Sequence, residues 1–106
     1  MIPIPQGWTE HPIYQGGQQV AFFCTKDAEI HCYRLEEFAG RWYPREEIER
    51  ITWPIFAEFG CVLTSVRRAN VQGHRFVKRL GFYPVAEDDK TIYYRAERLT
   101  HAKQRH

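Results

Sequence analysis

Apolar and polar residues alternate along the first part of the chain with the two-residue period of β-strands. Between Gln18 and Thr25 both alternating sets of side chains are apolar, which is typical of a strand that is covered on both of its faces. Polar residues interrupt the pattern at 26–29, a length that suits a turn, and a second strand follows at 30–35. The pattern therefore predicts a β-hairpin whose first strand is central in the sheet.

The short turn also predicts how the two strands of this hairpin pair. If Asp27 and Ala28 form the loop, Cys24 lies directly opposite His31. The same face of the sheet then carries two aromatic residues, Phe22 and Tyr33.

A helical period replaces the strand period after residue 44. Pro44 suits the first turn of a helix, and the two acidic residues that follow Arg45 favour a helix N-terminus. Pro54 falls inside this helix and predicts a kink or a split into two short pieces. Gly60 is a good terminator. The apolar residues that recur at helical spacing are Ile48, Ile51, Ile55 and Phe59.

The second half of the chain changes from strand to helix and back to strand. A strand is predicted at 61–66, and Asn70 can cap a helix over 71–80 that Gly81 ends. Two further strands follow around a polar turn, at 82–86 and 91–96.

These segments together predict an α+β fold, with a mixed sheet of about five strands and two main helices. The connection from 30–35 through the first helix to 61–66 should be parallel and right-handed. We expect one domain at 18–99. An irregular arm at 1–17, with one short strand at most, precedes it, and a flexible basic tail at 100–106 follows it.

Charge and cysteine content limit the classes of function. The net charge of +2 is too small to favour a nucleic-acid-binding protein, although six basic residues fall within 67–79. That cluster is either a solvated helix face or an anion site. Three cysteines without paired spacing predict neither a disulfide framework nor a metal site, but small apolar side chains that are buried. With no signal peptide and no membrane span expected, the sequence suggests a cytoplasmic protein.

The segment from Val66 to Phe82 resembles a signature of the GNAT superfamily of acetyl-CoA-dependent N-acetyltransferases. Asn70 opens a helix after a strand that ends in valine, the small residue Gly73 follows three positions later, and the helix closes with Leu-Gly-Phe. The resemblance extends over residues 30–97. The chain looks most like the short, divergent GNAT-like proteins of tailed phages, some of which are labelled head-assembly proteins. The resemblance implies a GNAT-like fold that is shortened at its N-terminal end.

The resemblance also implies a cofactor and its site. The cofactor would be acetyl-CoA, with its pantetheine arm between the strands at 30–35 and 61–66. Its pyrophosphate would lie over the loop before the first helix, where Gly40, Arg41 and Arg45 are the candidate ligands, and Asn70 would shape the second strand–helix junction.

Two departures from the family pattern bear on activity. The phosphate loop at 38–45 holds a single glycine where the family has several, so Arg41 and Arg45 would have to compensate by direct charge. Members of the family often carry a tyrosine that protonates the CoA thiolate, and Val77 stands at that position here. The candidate general bases are His31 and Glu36, although a strand histidine is also common as a purely structural residue.

The sequence therefore leaves two functions open. One is an acyl-CoA N-acyltransferase that acts on an amine. The other is a catalytically inactive GNAT-like protein of phage assembly or protein interaction. The apolar arm, with Trp8, Ile13 and Tyr14, should dock on its own sheet or on a protein partner such as a second copy in a homodimer.

Overall fold

The computed structural model describes residues 6–34 and 45–100. Within them, six strands and two helices follow one another along the chain. They are β1 (Thr9–Gln15), β2 (Gln18–Lys26), β3 (Glu29–Arg34), α1 (Arg45–Phe59), β4 (Val62–Arg67), α2 (Val71–Leu80), β5 (Tyr83–Glu87) and β6 (Thr91–Ala96).

The strands form one mixed sheet in the order β1-β2-β3-β4-β6-β5. Strands β3 and β4 are parallel, and every other neighbouring pair is antiparallel. The predicted α+β class is therefore confirmed, and the parallel step through the first helix is present.

The sheet has six strands rather than the five expected, because β1 lies inside the segment that was predicted to be an irregular arm. It pairs with β2 along its whole length, from Thr9 opposite Thr25 to Gln15 opposite Gln18. The polar composition of β1 and its proline did not predict a strand of this length. An edge strand tolerates both, because one side of its backbone needs no hydrogen-bond partner in the sheet. Of its side chains only Ile13 is buried, at the position where one short strand was expected.

The β2–β3 hairpin has the predicted register. Cys24 lies opposite His31, and Phe22 lies opposite Tyr33 with the two rings stacked at 5.1 Å between centroids. Phe22 and Cys24 are both buried, which agrees with a strand that is covered on both faces.

Helix α1 continues without a break through Pro54, so the predicted split into two pieces is wrong. The proline cannot donate a hydrogen bond to the carbonyl of Arg50. Both residues lie on the solvent side of the helix, where water can satisfy that carbonyl. The buried side of the same turn gains a bond instead, because the Thr52 hydroxyl donates to the Ile48 carbonyl at 2.8 Å.

Both helices pack on one face of the sheet and form one core with it. Ile48, Ile51 and Ile55 of α1 join Val77 and Leu80 of α2 in this cluster. Strand β4 contributes Val62 and Val66, and β6 contributes Tyr94 and Ala96. None of the described helices is long and apolar enough to cross a membrane.

The segment after β6 is held against both helices. The Thr100 amide donates to the Leu80 carbonyl at 2.8 Å, and the Arg45 guanidinium donates to the Thr100 carbonyl. Thr100, the first residue of the predicted tail, is therefore part of the domain, and residues 101–106 lie outside the described chain.

Candidate functional site

The two parallel strands at the centre of the sheet are joined only at one end. Glu29 and Leu63 form their one pair in register, and the Leu63 amide donates to the Ala28 carbonyl at 2.8 Å. One residue further on, the Thr64 hydroxyl reaches across to the Ile30 carbonyl at 2.6 Å. Past this point no further backbone pairing of β3 with β4 is found among the described residues. The strands therefore splay apart toward their carboxyl ends.

A cavity of about 420 Å³ lies in this gap. Ile30, Cys32, Thr64 and Val66 line it on the helix face of the sheet. His31, Tyr33, Ser65 and Arg67, whose side chains project from the opposite face, also line it, and we call this gap between the two strands the slot. The helices close its inner end with Ile48, Thr52, Asn70, Gly73, Phe76, Val77 and Leu80.

His31 lies where the sequence predicted, on a strand that borders the slot. Its Nε2 is 2.9 Å from Oε2 of Glu29, and its ring centroid is 5.5 Å from that of Trp8. A carboxylate only accepts hydrogen bonds, so Nε2 carries the proton in this contact and Nδ1 is the atom able to accept one. Glu29 thus orients the imidazole and leaves Nδ1 as the ring nitrogen that can accept a proton.

The three cysteines differ in exposure, which corrects the expectation that all are buried. Cys24 and Cys61 are buried, but Cys32 is exposed at the slot. It lies on the helix face of the sheet, where it lines the slot. Burial raises the pKa of the Cys24 thiol, which argues against a Cys24–His31 nucleophile pair.

Asn70 forms the corner between β4 and α2. Its side-chain Oδ1 accepts a hydrogen bond from the Gly73 amide at 2.9 Å, which is an N-cap. A Cβ at Gly73 would lie 2.5 Å from the Asn70 amide nitrogen and 2.9 Å from Val66. The small residue three positions after the asparagine therefore allows helix and strand to approach closely at the wall of the slot.

Val77 and Phe76 occupy the part of α2 that faces the slot. Val77 is buried and Phe76 is partly buried, and both side chains line the cavity. Neither can donate a proton, so this helix offers no general acid at the position where the sequence resemblance places one.

His74 has a structural role that the sequence did not reveal. Its Nε2 is 2.9 Å from the Arg67 carbonyl, and its Nδ1 is 2.7 Å from the Tyr94 hydroxyl. The carbonyl must accept, so Nε2 donates to it and the Tyr94 hydroxyl donates to Nδ1. Burial raises the pKa of Tyr94, which keeps this hydroxyl a donor. The ring thus ties α2 to β4 and β6, and His74 does not belong to an anion site.

Of the other predicted site residues, the candidate base Glu36 and the candidate phosphate ligands Gly40 and Arg41 lie outside the described part of the chain. Arg45 begins α1, where its Nε donates to Glu49 at 3.0 Å and another guanidinium nitrogen donates to the Thr100 carbonyl. A phosphate that binds Arg45 would have to compete with these two partners for the guanidinium group. Among the described residues no cluster of side chains could hold a metal ion.

Solved structures share this arrangement of strands and helices. The N-acetyltransferase PseH of Campylobacter jejuni, in complex with acetyl coenzyme A, matches with a TM-score of 0.69 at 13% identity, over 86% of this chain and 68% of that one. The fold is the GNAT fold. ElaA of Escherichia coli matches with a TM-score of 0.54 at 15% identity, over 78% of this chain and 64% of its own. Neither a protein-family model nor a curated protein matches the sequence.

The GNAT fold is therefore present although the sequence identity to these two structures is only 13% and 15%. What remains recognisable is the corner at Asn70 and Gly73 and the helix end at Gly81. These are the positions where the backbone itself, by capping, close approach or positive φ, restricts the residue type.

Replacing Asn70 by alanine should lower the free energy of unfolding by about 1 kcal/mol, because the cap on the Gly73 amide is lost. Asn70→Asp is the matched control, since its carboxylate still accepts that bond and its charge favours a helix N-terminus. Urea unfolding of the three proteins measures the effect. Equal loss in both variants would mean that the cap is not what stabilises this corner.

Proposed function

We propose that the chain binds acetyl-CoA in the slot between β3 and β4 and transfers its acetyl group to an amine. The observation that supports this most directly is the splay itself. Strands β3 and β4 are parallel neighbours, but within the described residues they pair only at Glu29 and Leu63. Beyond this pair, the described backbone N–H and C=O groups that face each other across the gap do not pair with each other, and a cavity of about 420 Å³ lies between the strands. Backbone groups of this kind suit the amide-bearing pantetheine arm.

The residues around the slot fit such a ligand. Its inner wall is apolar, with Val77, Leu80 and Phe82. When bound, acetyl-CoA supplies an activated thioester carbonyl. The N-terminus of α1 follows the predicted phosphate loop, in which Gly40, Arg41 and Arg45 remain our candidates for holding the pyrophosphate.

His31 is our candidate for the base that removes the proton from the attacking amine. It borders the slot, and Glu29 orients it so that Nδ1 can accept a proton. Glu36, which lies outside the described residues, remains the alternative base. Because Val77 takes the place of a proton donor, α2 supplies no proton to the thiolate, and we expect slow transfer.

The absence of a donor at Val77 also supports a second candidate function, a GNAT-like protein that binds a partner without catalysis, as the likeness to phage assembly proteins suggests. The two candidates differ in one respect that can be measured. Only the first requires acetyl-CoA to occupy the slot.

The exposed thiol of Cys32 provides a test of that occupancy. Acetyl-CoA at ten times its dissociation constant should slow the alkylation of Cys32 by iodoacetamide about tenfold, by mass action. Mass spectrometry of the labelled peptides follows the rate. The buried Cys24 and Cys61 serve as internal controls that stay unlabelled.

Adenosine 3′,5′-bisphosphate is the matched control ligand, because it lacks the pantetheine arm and should not protect Cys32. If acetyl-CoA gives no more protection than this control, the slot is not the site of the pantetheine arm, and the proposed function is lost.

A further inference from the structure

The slot has a polar axis on the sheet face opposite the helices. Glu29 is in register with Leu63, and both strands run in the same direction. His31 is therefore level with Ser65, and Tyr33 is level with Arg67. Along this face the acidic side chain Glu29 lies at the closed end of the slot and the basic side chain Arg67 lies at the open end.

Arg67 differs from its neighbour Arg68 in its ion pairing. The Arg68 guanidinium contacts Glu87 at 2.5 Å and the Asp88 carbonyl at 2.9 Å. The ion pairs formed within the described part of the chain do not include Arg67, which is exposed at the rim of the cavity. A guanidinium at this place presents a fork of donors that matches a carboxylate or a phosphate.

The other end of the axis suits the opposite charge. Glu29 pairs with His31 and is itself about half exposed, at 46% of its side-chain surface. The exposed Glu10 lies on the same sheet face, since its strand places it opposite Cys24, which is opposite His31. An ammonium group approaching His31 is therefore attracted by the Glu29 carboxylate.

The spacing between the two ends defines the size of a ligand that can use both. Ser65, level with His31, and Arg67 are two residues apart along β4, about 6.6 Å at the rise of a β-strand. His31 lies on the neighbouring strand, at least about 4.8 Å to the side, so the Cα atoms of His31 and Arg67 are at least about 8 Å apart. The arginine side chain is long enough to cover most of this distance, so a small amine with an acidic group two or three bonds away can meet both groups.

We propose that the amine acceptor carries an anionic group, a carboxylate or a phosphate, which binds Arg67 while its amine meets His31. This inference rests on the proposed function. In the transfer, the amine lone pair forms a bond to the thioester carbonyl carbon, and the carbon–sulfur bond breaks with its electron pair left on sulfur. The proton lost by nitrogen goes to Nδ1 of His31.

Three small amines of similar length form the test: ethanolamine, β-alanine and O-phosphoethanolamine. With saturating acetyl-CoA and constant ionic strength, release of the CoA thiol gives kcat/KM for each. We expect one or both anionic amines to exceed ethanolamine by about tenfold to a hundredfold, the range of a charge-assisted hydrogen bond. Which of the two is preferred distinguishes carboxylate from phosphate recognition.

Two variants localise the effect. Arg67→Gln should abolish the preference for the anionic amine, whereas Arg68→Gln, whose side chain is held by Glu87, should keep it. Neither variant should change the dissociation constant of acetyl-CoA. A preference that survives in Arg67→Gln overturns the proposal, as does equal use of charged and neutral amines. Loss of acetyl-CoA affinity in Arg67→Gln would also overturn it, because Arg67 would then serve the cofactor.

Binding of the same amines, followed by the NMR shifts of the residues that line the slot, separates this proposal from the proposed function. If acetyl-CoA binds but no amine is acetylated, Arg67-dependent binding of an anionic amine supports the acceptor site and contradicts only the catalysis. If acetyl-CoA binds and none of the anionic amines does, the acceptor proposal fails and the cofactor site stands.

Discussion

Replacing His31 by alanine is expected to lower the rate of acetyl transfer by about 10²–10⁴-fold, the usual contribution of a general base. The affinity for acetyl-CoA should change little, because the imidazole lies on the sheet face opposite the helices, away from the apolar wall of the slot. Steady-state rates with the best acceptor from the amine series, combined with calorimetric titration of acetyl-CoA, measure the two effects separately.

The chain contains a matched control for this substitution. His11 is also a strand histidine with one polar partner, the Thr25 hydroxyl at 2.9 Å, but it does not border the slot. His11→Ala should leave the rate of transfer unchanged. If the two alanine variants transfer acetyl groups equally fast, His31 is a structural residue, and the proton acceptor must be sought in the loop that contains Glu36.

Replacing Gly81 by alanine is expected to lower the free energy of unfolding by about 2–4 kcal/mol, the largest loss of stability that we predict. Gly81 ends α2 at a φ of +109°, where an L-residue is strained. A Cβ there would also lie 2.8 Å from the Thr100 hydroxyl oxygen and 3.1 Å from the Thr100 amide nitrogen. The new side chain would therefore disturb the segment that packs across both helices.

Gly60 separates these two contributions. It ends α1 at a φ of +76°, but a Cβ there would meet nothing within 4 Å. Gly60→Ala should therefore cost only the backbone strain, about 1–2 kcal/mol. Urea unfolding of both variants gives the comparison. Equal losses would mean that the contact with Thr100 contributes nothing to stability.

The sequence predicted the local parts of this fold well, because each depends on residues that are close together. The register of the β2–β3 hairpin followed from the length of its turn, and the ends of α2 followed from Asn70 and Gly81. The full length of the edge strand β1 was not predicted, although one short strand was expected within the arm, and the reason is the opposite one. Its side chains are mostly exposed, so its pairing with β2, not an apolar pattern, holds it in the sheet.

Pro54 and Cys32 show how tertiary context changes the meaning of a residue. Proline was expected to kink or split α1, but the helix continues through it, and its turn faces solvent, where a missing hydrogen bond costs little. Cys32 follows the apolar pattern of its strand and was expected to be buried. It is exposed because β4 diverges from β3 at that level, and no local pattern encodes the distance between two strands.

The candidate site was predicted in part. His31 and Asn70 border the slot as expected, since the strand and the helix cap that carry them could be located from the sequence. Ser65 and Arg67 were not predicted as site residues. They line the cavity because β3 and β4 splay apart, and the sequence pattern does not show that splay. The sequence placed Arg67 in a basic cluster, in which Arg68 forms an ion pair and His74 forms a structural bridge.

Calorimetric titration of acetyl-CoA into the native chain and into Cys32→Trp tests the central claim most directly. Cys32 is exposed at the slot, so the indole should fill the slot without disturbing the core. Tyr14→Trp, at an exposed position that does not line the cavity, is the matched control. We predict saturable binding by the native chain and by Tyr14→Trp, and no binding by Cys32→Trp at an unchanged melting temperature. No binding by the native chain at millimolar acetyl-CoA, or equal binding by Cys32→Trp, would contradict the account.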